Sequence, residues 1–194
     1  MDAVCQYQWG TVYNLFDYPT ATCSRQYING GNTVGDYFVL DRAQNKIRLL
    51  GTRVIGGIRK LAFNREIVGG FKDPQSISLG TALSGSHRQL FIADSGNNRI
   101  GRCEVDYASG IPYPLAVTYI YSGNGNAGPL LQPHDIDYCE YHDPQVGNLL
   151  LIADTYNHRV LGMNTQGVVK WTIGNGQPGS GTMNRTGFSG GSVS

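Results

Sequence analysis

The strongest constraint on this chain is a ten-residue pattern that occurs three times. It reads FVLDRAQNKI at 38–47, FIADSGNNRI at 91–100 and LIADTYNHRV at 151–160. In each copy an apolar run ends in an aspartate (Asp41, Asp94, Asp154), four turn-like residues follow, and a basic residue with a β-branched neighbour opens a new apolar run. That is the pattern of a hairpin, because β-forming residues flank residues that accept tight-turn geometry. Self-similarity at a period of tens of residues decides architecture before local propensity does, since a repeated unit buries its faces by stacking on its neighbours.

Two further landmarks keep the same phase. Pro19 lies 22 residues before Asp41, Pro74 lies 20 before Asp94, and Pro133 lies 21 before Asp154. Glycine-rich stretches mark the crossings between units: Val68 to Phe71 runs into Pro74, Ser122 to Gly128 runs into Pro133, and Ile173 to Gly179 runs toward the C-terminus. Each unit therefore predicts four antiparallel strands. The first is Pro-led, where no ladder N–H is required. The second ends in Asp, the third opens with Lys46, Arg99 or Arg159, and the last resembles Val117–Tyr121 or Val168–Ile173.

Four antiparallel strands per unit make a propeller blade. The predicted fold class is all-β, one propeller-type domain over 1–194 with blades at about 17–70, 71–128 and 129–179. Equivalent aspartates are 53 and then 60 residues apart, somewhat more than the ~40–50 of common propeller repeats. The excess falls in loops such as Asp106 to Pro114. Three blades do not close a ring, which takes roughly four to eight. Trp9 to Phe16 reads as the end of a preceding blade, and 180–194 as a Gly/Ser-rich tail or the start of the next. The expectation is an incomplete ring, either part of a longer polypeptide or completed by another copy pairing near Thr11 to Leu15.

The hairpins ADSGNNRI at 93–100 and ADTYNHRV at 153–160, each behind a Pro-led strand, resemble the NHL-repeat family, and the resemblance runs from about Pro19 to Gly179. Asp41 to Ile47 matches less well, because Arg42-Ala43 replaces the usual small, turn-forming pair. The resemblance implies ring-shaped modules that bind proteins, and in some members RNA. It makes a non-catalytic binding or structural module, engaging a protein partner or other copies of itself, the leading expectation. Propeller enzymes are the alternative: amidating-lyase-like, with zinc held by inward histidines, or arylsulfotransferase-like, to which Gly147 to Trp171 is similar.

Composition and motifs weigh on the same choice. The 27 glycines, 12 tyrosines and 15% charged residues suit short strands and tight turns. A net charge of +1 argues against nucleic acid as a partner, and Arg53, Arg59, Lys60 and Arg65 form the only local basic cluster. No segment reads as a signal peptide or membrane span, and no membrane insertion is expected. Cys5, Cys23, Cys103 and Cys139 have no metal-ligand spacing, and leave disulfides open.

The repeated Asp41, Asn45, Lys46, Asp94, Asn98, Arg99, Asp154, Asn157 and Arg159 read as framework, with the acid and amide accepting backbone N–H groups and the cation pairing with the acid or a neighbouring blade. Gly123 to Gly128 and Gly174 to Gly179 match GxGxxG in form, but Pro129 and Pro178 prevent the helix that would hold a pyrophosphate. No cofactor and no catalytic constellation is predicted. The one weak candidate site is His134, Asp135 and His142, for which Thr20 and Gln75 stand at the positions equivalent to His134, so a three-ligand zinc site is not predicted.

Overall fold

A computed structural model of the chain describes residues 15–29, 31–84, 86–123, 127–140 and 147–174. Among the described residues twelve strands form three four-stranded antiparallel sheets, each a simple meander. Blade 1 holds β1 (Pro19–Asn29), β2 (Asn32–Asp41), β3 (Lys46–Ile55) and β4 (Ile58–Ile67). Blade 2 holds β5 (Ser76–Ser84), β6 (His87–Asp94), β7 (Arg99–Asp106) and β8 (Tyr113–Tyr121). Blade 3 holds β9 (Pro133–Cys139), β10 (Leu149–Asp154), β11 (Arg159–Asn164) and β12 (Val169–Ile173). The described residues are all-β: three propeller-like blades that form no closed ring among themselves. The expected strand near Thr11, the tail at 180–194 and His142 lie outside the described residues.

Two boundaries differ from expectation. β5 begins at Ser76 rather than Pro74, because Gln75 N–H bonds to Ala93 O ahead of the regular ladder. β8 begins at Tyr113 rather than Val117, its pairing with β7 carried past a register shift between Cys103 and Val105. The cysteine question also resolves in part, since Cys23, Cys103 and Cys139 are free thiols. Burial pushes the thiols of Cys23 and Cys103 up to about 12, so they pack as small apolar groups.

The period-2 alternation of a strand sorts every blade into two faces. On β6, Leu90 and Ile92 enter one cluster with Phe38, Leu40, Ile47 and Leu49 of blade 1, while Phe91 and Ala93 enter another with Ile136, Leu150, Ile152, Leu161 and Met163 of blade 3. β6 is thus buried on both faces, which explains why it reads as a continuous apolar run rather than an alternating one. Phe91 also stacks on Tyr138 of β9, with ring centroids 5.8 Å apart and planes 6° from parallel.

The end blades show how this order stops. On blade 1 the face turned away from blade 2 carries Tyr37, Val39 and Leu50 together with Lys46, Arg48 and Glu66, both cations lying 2.9 Å from the Glu66 carboxylate. On blade 3 the face turned away from blade 2 carries Leu151, Ala153, Val160 and Ile173, in the registers that Phe91, Ala93, Ile100 and Tyr121 hold in blade 2, with Asp135 and Asp137 of β9 opposite Ala153 and Leu151. Val160 and Ile173 are 39% and 45% exposed, whereas Ile100 is fully buried beneath blade 3.

Coverage sets the cost of truncation at these positions. Phe91→Ala is expected to lower stability by about 3–5 kcal/mol, and Leu151→Ala at the equivalent position of blade 3 by only about 1 kcal/mol. Urea unfolding midpoints measure both, and equal losses would show that the two faces are covered alike.

Candidate functional site: the aspartate latch

The carboxylates that end β2, β6 and β10 are Asp41, Asp94 and Asp154, and all three are fully buried. A buried carboxylate is tolerated only when donors occupy its lone pairs. Here the donors come from the segment that leads into the same blade's first strand. Lys72 N–H donates to Asp94 Oδ1 at 2.8 Å, and Leu131 N–H to Asp154 Oδ1 at 2.8 Å. In blade 1, Asp17 and Tyr18 N–H donate to the two Asp41 oxygens at 2.8 and 3.1 Å. These donors sit one or two residues before Pro19, Pro74 and Pro133, which gives the near-constant proline-to-aspartate spacing its physical cause.

In blades 2 and 3 the other oxygen binds the turn. Asn97 Nδ2 and Arg99 Nε donate to Asp94 Oδ2 at 2.9 and 2.6 Å, and Asn157 Nδ2 and Arg159 Nε donate to Asp154 Oδ2 at 2.8 and 2.7 Å. The same side chains then reach carbonyls of the incoming chain: Asn97 and Arg99 bond Gly70 O at 3.0 and 2.8 Å, and Asn157 and Arg159 both bond Pro129 O at 2.9 Å. Charge-assisted bonds of this kind are about twice as strong as neutral ones. Arg99 also lies over the Tyr119 ring, 3.5 Å from its centroid.

Two adjacent residues of the turn divide the work, and the sequence did not separate them. Asn97 and Asn157 close the latch, whereas Asn45 and Asn98 reach forward to the next blade: Asn45 Oδ1 accepts from Asp73 N–H and Asn98 Oδ1 from Gln132 N–H, each at 2.8 Å. Asn45 and Asn98 have φ of 50° and 52°, a left-handed conformation that asparagine accepts at little cost. In blade 3 His158 holds the same conformation at φ 47°. The first copy departs from the expected pairing. Lys46 does not reach Asp41 but pairs with Glu66, and Arg42 crosses instead to Asp73 of the next blade in a bidentate ion pair.

Asp41 titrates low: burial opposes its charge, but the N–H groups of Asp17, Tyr18 and Gln44 outweigh burial and hold its pKa below the ordinary carboxylate value. Asp73 is likewise lowered, chiefly by its hydrogen bond from Arg42.

The weak candidate site is only partly brought together. His134 is exposed, edge-on to Tyr156 with ring centroids 6.3 Å apart. Asp135 accepts from Ser76 Oγ at 2.6 Å and from Ile136 N–H at 2.9 Å, so it ties β9 to β5 of blade 2. Among the described residues no group of three or more His, Cys, Asp or Glu side chains is placed to hold a metal ion, and no helix is long and apolar enough to cross a membrane. The chain matches no family model and no curated protein.

Removing a latch strands its partners. Asp94→Ala leaves Arg99 Nε and the Lys72 N–H without their acceptor, and the guanidinium without its countercharge, and is expected to cost about 3–5 kcal/mol in urea unfolding. Asp41→Ala, whose latch has no arginine, is expected to cost less. The pH dependence follows from the lowered values: folding stabilises the ionised forms of Asp41 and Asp73, so that stability is present above about pH 4. It falls as pH drops through the lower folded values, and Asp41→Asn is expected to flatten that acid limb in unfolding measured from pH 7 to pH 2.

Proposed function

We propose that the chain is a non-catalytic β-propeller module of the NHL-repeat type whose work is protein assembly, with the apolar face of blade 3 taking a further blade. The observation that carries the reading is the repetition of one face. Leu151, Ala153, Val160 and Ile173 stand in the registers of the blade 2 residues that blade 3 covers. A sheet face of this composition is stabilised by burial and is a docking surface or an aggregation liability when left open. The partner implied is a blade that presents apolar residues as Leu150, Ile152, Leu161 and Met163 do toward blade 2. Blade 1 of another copy is a poorer match, because its outer face interrupts Tyr37, Val39 and Leu50 with Lys46, Arg48 and Glu66. The framework role of the motif supports the non-catalytic reading, since the latches of blades 2 and 3 commit their acid, amide and guanidinium to one another and to backbone atoms of the chain entering the blade.

The test is dye binding and sedimentation of the purified chain. The wild type is expected to bind an apolar-surface dye or to self-associate with rising concentration. Val160→Glu/Ile173→Glu is expected to reduce both several-fold at an unchanged urea midpoint, because both side chains are exposed. A dye-silent monomer at every concentration would count against the proposal.

A further inference from the structure

The end of the blades opposite the latches carries a second exposed apolar feature. β3 and β4 meet at Gly56-Gly57, with φ of 60° and 76°, the geometry of a type I′ turn whose twist matches that of its strands. The paired residues next to this turn are Ile55 and Ile58, 52% and 46% exposed. Behind them stand Arg53 and Lys60 as one cross-strand pair and Val54 and Arg59 as another. The tip therefore reads basic, apolar, turn, apolar, basic.

This hairpin is longer than its counterparts. β3 and β4 have 10 residues each, against 8 and 9 in β7 and β8 and 6 and 5 in β11 and β12. Two additional residues extend a strand by about 7 Å. The root is braced, since Arg53 pairs with the buried Asp36 at 3.1 Å, donates to Gly110 O of the β7–β8 loop at 3.1 Å and lies over the Phe63 ring. The β7–β8 loop adds Ile111 and Tyr113, 44% and 54% exposed at the same end, and β1 adds Ile28 at 68%.

Among the described residues at this end, Asp36 is paired with Arg53, Asp106 accepts from Ser86 Oγ and Ala108 N–H, and Glu140, just past β9, interacts with Arg88. Arg25 lies between the Tyr27 and Tyr107 rings, 4.6 and 4.4 Å from their centroids.

We infer that this end of blade 1 is a peripheral membrane-docking surface: Ile55 and Ile58 enter the headgroup and acyl boundary of an anionic bilayer while Arg59 and Lys60 meet its lipid phosphates and carboxylates. Convexity favours a bilayer over a peptide, because a projecting tip can enter a fluid interface whereas a peptide needs a groove. The charge is complementary to anionic lipid, and apolar tips flanked by cations add area burial to electrostatic attraction.

The test is cosedimentation of the full chain with vesicles of phosphatidylcholine alone and of phosphatidylcholine containing about one quarter phosphatidylserine. Binding is expected only to the anionic vesicles, weakening as salt rises. Ile55→Ser/Ile58→Ser and Arg59→Glu/Lys60→Glu are each expected to lower the partition coefficient about tenfold or more with the thermal transition unchanged. Absence of binding to anionic vesicles, binding unaffected by both variants, or binding only to polyglutamate or polyuridylate would overturn the inference. The blade 3 variants Val160→Glu/Ile173→Glu should leave vesicle binding intact, which separates this surface from the assembly face.

Discussion

A carboxylate shut away from water folds with the chain only if donors meet its lone pairs, and three such carboxylates set the frame of this protein. Asp41, Asp94 and Asp154 each stand where the second strand of a blade ends, and each binds the backbone that enters the same blade. In blades 2 and 3 one oxygen holds the incoming segment and the other holds the turn, whereas in blade 1 both Asp41 oxygens hold the incoming segment and one of them also accepts from Gln44 N–H of the turn. The first and third strands of a blade are thereby tied through a point that neither strand supplies. Removal of one partner is costly because the group left behind is buried and charged, so the latch acts as a geometric constraint as much as a source of stability.

With each blade fixed in this way, stacking decides the rest. β6 serves both interfaces at once, its odd and even residues divided between two apolar clusters. Forward contacts from the turns, Asn45 to Asp73 N–H, Asn98 to Gln132 N–H and Arg42 to Asp73, align each blade on the next. The array is consequently polar in the directional sense: it begins on a face that mixes Lys46, Arg48 and Glu66 with Tyr37, Val39 and Leu50, and ends on one where Leu151, Ala153, Val160 and Ile173 lie beside Asp135 and Asp137. Directional order of this kind is what a unit that continues in one sense would need.

Much of the fold was legible in the sequence, because period-2 alternation and a repeated turn are local signals. The four-strand unit and the phase between Pro and Asp are readable without coordinates. The latch was legible in its composition but not in its wiring. Asn97 and Asn98 are neighbours of identical type, and only the backbone direction at each shows that one closes the latch while the other, left-handed at φ 52°, reaches the next blade. Lys46 aligns with Arg99 and Arg159 yet pairs with Glu66, a cross-strand relation to β4 that register alone reveals. Arg42, which weakened the match of the first copy, turns out to bridge blades. Likewise the basic cluster Arg53, Arg59, Lys60 and Arg65 gave no hint that Arg53 is half-buried and paired with Asp36 while Lys60 stands in the open.

The latch is tested most directly by native-state hydrogen exchange at two amides outside the strands, Lys72 and Leu131, which donate to Asp94 and Asp154. The account predicts protection at both close to that of β6 and β10, and loss of protection at Lys72 but not at Leu131 when Asp94 is replaced by alanine. Exchange at the rate of an open loop in the wild type would contradict it.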